Sequence, residues 1–222
     1  ILLGYRAGYQ AQGNYSVSIG YEAGKVNTAQ GNVNIGYNAG ISNTSGSNNI
    51  HIGYQAGQNN TTNGSRVMIG DEAGAYQTGG FNTGVGRYAC RQGTGLNNTA
   101  IGSSAMAGNM SGGSFNTAVG HNSLQQAGNK SGNVAVGCDA ARLVTTGANN
   151  IMLGYQAGMN EAGNNKLYIS NSSSNVLIYG DFNDGLVLLG RNGEDEGGVG
   201  IRGNKGIIFY DADGSNTVSF KS

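Results

Sequence analysis

Residues 16–24 read SVSIGYEAG, and near copies follow as VNIGYNAG (33–40), IHIGYQAG (50–57) and IMLGYQAG (151–158). The Gly after the aliphatic residue marks the unit. It recurs at 4, 20, 36, 53, 70, 86, 102, 120, 137 and 154, spaced by 16 to 18 residues. Ten copies therefore fill the chain to about residue 160. Self-similarity at so short a period is the mark of a repeat architecture.

The columns are stricter than the spacing. One residue before each Gly is always aliphatic, from Leu3 and Ile19 to Val136 and Leu153. Three residues before it the chain carries Ile, Val or Thr, and the residue between varies freely. Apolar, variable, apolar, Gly is the period-two signature of a short strand with one buried face, and it predicts that both aliphatic columns point inward. Three residues after the Gly stands Ala in nine copies, with Ser123 the exception, which predicts a tight interior. The remainder is Gly, Asn, Ser and Thr, suited to turns and left-handed backbone.

A 17-residue unit cannot bury its own face. Stacking units as coils solves this, with strands about 4.8 Å apart in a parallel ladder. Helical spacing of apolar residues is absent. The expected fold is all-β: a parallel β-solenoid over residues 1–160. Past Gly158 the pattern breaks. KLYISNSSSNVLIYGDF (166–182), LVLLG (186–190), an acidic turn at Glu194, Asp195 and Glu196, VGIRG (199–203), GIIFYDADGSN (206–216) and TVSFKS read as short strands without a fixed period. Residues 161–222 are expected to cap the open end of the solenoid, whose exposed edges would otherwise pair with other molecules. The thin core per coil favours burial of a second face between chains, so an oligomer is expected. The chain begins inside a repeat, at Ile1, as a piece of something longer would.

Composition narrows the function. Hydrophobic residues make up 37% of the chain, Gly is 42 of 222, and there is no Pro or Trp. Ten registered aliphatic columns argue against disorder. Formal charge is zero, and neither part carries a basic stripe, so no nucleic-acid partner is expected. No run approaches the length of a membrane-spanning helix. Cys90 and Cys138 stand three coils apart, roughly 14 Å at 4.8 Å per coil, beyond disulfide reach.

Catalysis has little to work with. Acids before residue 161 are Glu22, Asp71, Glu72 and Asp139, with no facing pair of the kind a glycosidase needs. His51 and His121 fall four coils apart, so no metal site or triad is visible. Asp211, Asp213 and Asn216 lack the closing Glu of a calcium loop and read as a turn. No cofactor and no metal are expected, and the chain does not read as an enzyme.

Two features invite a binding role. Tyr5, Tyr21, Tyr37, Tyr54 and Tyr155 follow the marker Gly in five copies. They suit stacking on sugar rings or packing as a ladder, and the sequence leaves their direction open. The middle copies carry Asp71, Arg87, Ser103, His121 and Cys138 there instead, and change the closing Gly to Cys90, Met106, Leu124 and Ala141. That middle is either a surface tuned for a ligand or tolerated drift. As a surface, its candidate contacts are Asp71, Arg87, Tyr88, Arg91 and His121.

SVSIGYEAG, NTAIGSSAM (98–106) and NTAVGHNSL (116–124) resemble the repeats of trimeric autotransporter adhesin heads. The fuller NTAxGxxAL/IGYQAG form, followed by NKLYISNSSSNVLIYGDF, is closer to bacteriophage tail-fibre proteins, and the resemblance covers almost the whole chain. It implies a left-handed β-roll, an intertwined homotrimer, and a virion tail-fibre tip that attaches to a bacterial surface glycan or outer-membrane protein. A bacterial cell-surface adhesin head is the alternative, and a polysaccharide depolymerase tailspike the third reading.

Overall fold

A computed structural model describes residues 1–10, 13–126 and 128–192. The strands expected beyond residue 192, the acidic turn and the DADGSN turn lie outside the described residues. The described chain is all-β. Its strands are β1 (Leu2–Leu3), β2 (Val17–Ile19), β3 (Val33–Ile35), β4 (Ile50–Ile52), β5 (Val67–Ile69), β6 (Tyr76–Gln77), β7 (Thr83–Val85), β8 (Gln92–Gly93), β9 (Thr99–Ile101), β10 (Asn109–Met110), β11 (Thr117–Val119), β12 (Val134–Val136), β13 (Ile151–Leu153), β14 (Lys166–Ser170), β15 (Asn175–Asp181) and β16 (Leu186–Asn192). Ten of them, β1 to β5, β7, β9 and β11 to β13, are the repeats, stacked in sequence order as one parallel sheet. Register follows the columns: Val17 pairs with Val33, Ser18 with Asn34, Ile19 with Ile35. On another wall, β6, β8 and β10 form a small second parallel sheet. The chain is a β-solenoid.

The phase of the strands corrects the sequence reading. The variable middle residue points inward and the aliphatic flanks point out. Ser18, Asn34, His51, Met68, Ala100, Ala118, Ala135 and Met152 are buried. Their flanking Val, Ile and Thr neighbours are half-buried, and Ile101 and Val136 are exposed. The alternation is as expected, but its phase is reversed: the middle column, not the aliphatic flanks, lines the lumen. Opposite the sheet runs a turn whose Ala (Ala23, Ala39, Ala56 and onward) is fully buried. The aliphatic columns are shielded only by like residues on neighbouring rungs. They form an apolar stripe along the outside of the solenoid.

Two backbone features shape each coil. The marker Gly has φ between 115° and 136°, and a Cβ on it would lie 1.8–2.6 Å from a carbonyl oxygen of the next coil. No side chain fits there. Two residues on, the chain turns through left-handed φ near +50° to +60°, at Glu22, Gln55, Tyr88 and Ser104 among others.

A buried asparagine column ties the coils together. Asn32, Asn49, Asn82, Asn98, Asn116, Asn133 and Asn150 each stand four residues before the marker Gly. Each Oδ1 accepts the backbone N–H of the equivalent residue in the next coil at 2.8–3.1 Å, with Asn32 and Asn82 serving Asn49 and Asn98 in this way. Each Nδ2 donates to a carbonyl 13 to 15 residues on. These bonds satisfy polar groups that water cannot reach. Arg66 alone interrupts the column.

The end of the solenoid is covered as far as the described residues run. β14 adds in parallel to β13, and β15 and β16 follow antiparallel. Tyr168 occupies the inward column after Met152 and packs on the core. Its hydroxyl donates to Glu161, its ring meets Tyr179 edge-on, and Lys166 pairs with Asp181.

Candidate functional site

The residue after the marker Gly lies at the start of the turn, on the outside. Tyr5, Tyr21, Tyr37 and Tyr54 therefore form an exposed ladder, with ring centroids 5.1–5.3 Å apart and planes within 10–19° of parallel. The ladder is both packed and on the surface. Each inner ring spends its faces on its neighbours and offers solvent a hydroxyl-bearing edge. Stacking on a sugar is left to the ends of the ladder and to Tyr155, half-exposed above Cys138.

At the next two rungs charge replaces the rings, and four of the five sequence candidates meet. Arg87 Nε lies 3.4 Å from Asp71 Oδ2. Its guanidinium sits 4.2 Å over the Tyr88 ring, and Nη2 donates to the Tyr88 hydroxyl at 2.9 Å. That hydrogen bond and the charge interaction with Tyr88, then the Asp71 charge, hold the Arg87 pKa above its usual value. Arg91 lies 4.9 Å from the same ring. Sequence reasoning missed two members. Glu72 accepts from Arg91 Nε at 2.8 Å, and the Tyr76 ring lies 5.3 Å from that guanidinium. Their signal was available: Glu72 shares the left-handed turn position with Glu22, whose carboxylate binds Lys25 at 2.9 Å and is held below its usual pKa by that bond. Asp71 and Glu72 occupy a turn, not a strand, so they do not alternate between faces. His121 is exposed in the same column but two coils past Arg87, and it does not join the cluster.

This patch offers two guanidinium groups set against aromatic rings, with carboxylates and phenols alongside. Such a surface donates and accepts hydrogen bonds and presents ring edges. It fits polar, hydroxyl-rich or mixed-charge ligands. Among the described residues no three His, Cys, Asp or Glu converge as metal ligands, and no helix is long and apolar enough to cross a membrane. Both cysteines are unpaired. Burial pushes the Cys90 thiol up to about 12, against the pull of Arg66.

The closing residues of the middle coils belong to the core. Cys90, Met106, Leu124 and Ala141 hold the same left-handed φ (46° to 51°) as the glycines they replace, and all are buried. A concavity of about 710 Å³ opens where solenoid meets cap, lined by Leu153, Ile169, Val176 and Leu177 among others. It continues the outward apolar stripe. No protein-family model, curated protein or solved structure matches the chain.

Proposed function

We propose that this chain is a structural and receptor-binding segment of a bacteriophage tail fibre, working as a homotrimer at the distal end of the fibre. The observation that carries the reading is the uninterrupted aliphatic stripe on the outside of the solenoid. One chain has no use for an aliphatic residue facing outward on each of ten rungs. Three copies facing one another would bury it as a shared core, in keeping with the trimeric relatives the repeat resembles. The stacked coils would then act as a stiff rod. The turns, with the Tyr ladder and the Arg87–Tyr88–Arg91 cluster, would point outward to a bacterial surface glycan or outer-membrane protein. Three chains and many fibres would multiply weak contacts.

Labelled protein incubated with a panel of bacterial strains tests the reading. Saturable binding to some strains, lost when Arg87 and Arg91 are both replaced by Ala, is the expected result. Equal, unsaturable adherence to every strain would remove the receptor-binding role.

A further inference from the structure

Most of the solenoid lumen is lined by small or apolar side chains, but its first half is polar. Ser18, Asn34 and His51 occupy successive inward positions, and Arg66 enters beside them from the rung of β5. All four are buried. Arg66 stands where Asn stands in every other coil from Asn32 to Asn150, and it turns its guanidinium into the core. Only Nη2 has a partner, the Gly74 carbonyl at 3.4 Å; Nε and Nη1 have none. Among the described residues no carboxylate answers this charge: Asp71 and Glu72 pair outside with Arg87 and Arg91. Cys90 remains a thiol, as its raised pKa requires. An uncompensated buried guanidinium is among the costliest arrangements a fold can hold.

The neighbours of Arg66 point the same way. His51 is neutral, its pKa lowered to about 3 by burial and then by Arg66. Its Nδ1 meets the Asn34 side-chain amide at 3.0 Å and its Nε2 has no partner. Ser18 Oγ and Asn34 Nδ2 are unpartnered too, and both crowd the point where a Gly24 Cβ would lie, at 2.6 and 2.7 Å. A half-turn of the Asn34 amide exchanges its oxygen and nitrogen at no steric cost. With the amide so turned, the Asn34 nitrogen donates to His51 Nδ1, and Nε2–H is left to donate onward. What lies onward is Arg66. The Gly57 N–H bonds the Ala73 carbonyl, so Gly57 and Gly74 sit on adjacent rungs. His51 Nε2 is 2.4 Å from the Cβ point of Gly57, and Arg66 Nη2 is 3.2 Å from that of Gly74. The unpartnered His51 Nε2 and the Arg66 guanidinium thus lie on adjacent rungs of the lumen.

We propose that Arg66 and His51 hold a small monovalent anion of the halide class, chloride in ordinary buffers, inside the solenoid. The anion neutralises the guanidinium and receives the His51 Nε2–H. It is a structural ion: it binds the folded chain and not the unfolded one, so it stabilises the coils around β4 and β5.

The test uses the whole chain in sodium bromide, sodium chloride and sodium gluconate at equal ionic strength. Gluconate is too large to enter. Thermal midpoints in chloride and bromide are expected to exceed that in gluconate, by about 2–4 °C at roughly five times the dissociation constant. Bromide-grown crystals are expected to show an anomalous peak beside Arg66. Arg66→Asn rebuilds the asparagine column and is expected to erase the halide shift, and Arg66→Met tests the same loss with the ladder left broken. Equal midpoints in all three salts, or density for water alone beside Arg66 in bromide crystals, overturns the proposal.

Discussion

Size trades places between two positions inside each coil. The inward strand residue and the residue that closes the turn six positions later fill one volume. Where the first is large, the second is Gly: Asn34 with Gly40, His51 with Gly57, Met68 with Gly74, Met152 with Gly158. A Cβ on those glycines would lie 2.1 to 2.6 Å from the partner side chain. Where the first is Gly84, Ala100 or Ala118, the second is Cys90, Met106 or Leu124. Ala100→Met alone should overfill the lumen and cost about 1–3 kcal/mol. Ala100→Met with Met106→Gly copies the Met152/Gly158 coil and should recover much of it. Urea denaturation of the two single variants and the double gives the coupling, expected at about 0.5–3 kcal/mol. Additive single effects would mean that the two side chains do not share a volume. His51 has its own signature. Its folded pKa, about 3, lies below the ordinary 6.5, so the unfolded chain binds more protons between those values. The stability that neutral His51 supports is full above pH 6.5 and is lost as pH falls toward 3. His51→Asn, which copies the coil of Asn34, should flatten the pH dependence of the unfolding midpoint in that window relative to the parent chain.

Strands of three residues have little strength alone, so what joins one coil to the next decides whether the solenoid stands. Two columns do this work. The asparagine column gives each rung a buried acceptor for the next. Asn116→Ala removes the acceptor of the Asn133 N–H and the donor to the Lys130 carbonyl, and should cost about 1–3 kcal/mol for each group left unsatisfied. A drop in the urea midpoint far larger than that of an exposed control such as Gln126→Ala is the expected reading. The glycine column lets backbones approach. At Gly102, φ is +131° and a Cβ would lie 2.6 Å from the Gly120 carbonyl oxygen. Gly102→Ala should therefore cost about 3 kcal/mol or more, combining strain with a backbone clash. At Gly112, φ is +86° with open space around it, and Ala there should cost only the strain, about 1–2 kcal/mol.

The architecture was legible because a solenoid writes each layer into the sequence as a column. Ten marker glycines at 16 to 18 residues gave the coil count, and the structure stacks those copies in register. The phase of the strand was not legible. Hydrophobic alternation says that two faces differ, not which one meets its own chain, and here the aliphatic face of β2 to β13 looks outward. The buried middle column held the clue. Its Ser18, Asn34 and His51 give way to methionines, glycine and alanines of very different volume, as a lumen compensated from across the coil allows. Of the candidate site, Asp71, Arg87, Tyr88 and Arg91 were found because they broke a column. Glu72 and Tyr76 were missed because their partners come from the next coil, which adjacency in sequence does not reveal.

The outward stripe bears on the molecule as a whole. Val17, Ile19, Ile35, Ile50, Ile52 and Val85 lie on one side of one sheet, and neighbouring rungs shield them only in part. An apolar face of this length on a free chain would recruit other molecules without order. Closed symmetry offers each copy the same complementary face and leaves none open. Light scattering after size exclusion should therefore return about 68 kDa, three times the 22.6 kDa chain. Ile52→Glu combined with Val85→Glu places two charges in the stripe without touching the lumen, where His51 and Gly84 point. That variant should keep its β-sheet circular dichroism, fall to 22.6 kDa and lose thermal stability. A parent chain that already runs at 22.6 kDa would show that the stripe tolerates water and would remove the shared core from the proposed fibre. A double variant that stays near 68 kDa would place the contact between copies elsewhere, with the cap concavity around Ile169 and Leu177 the next face to charge.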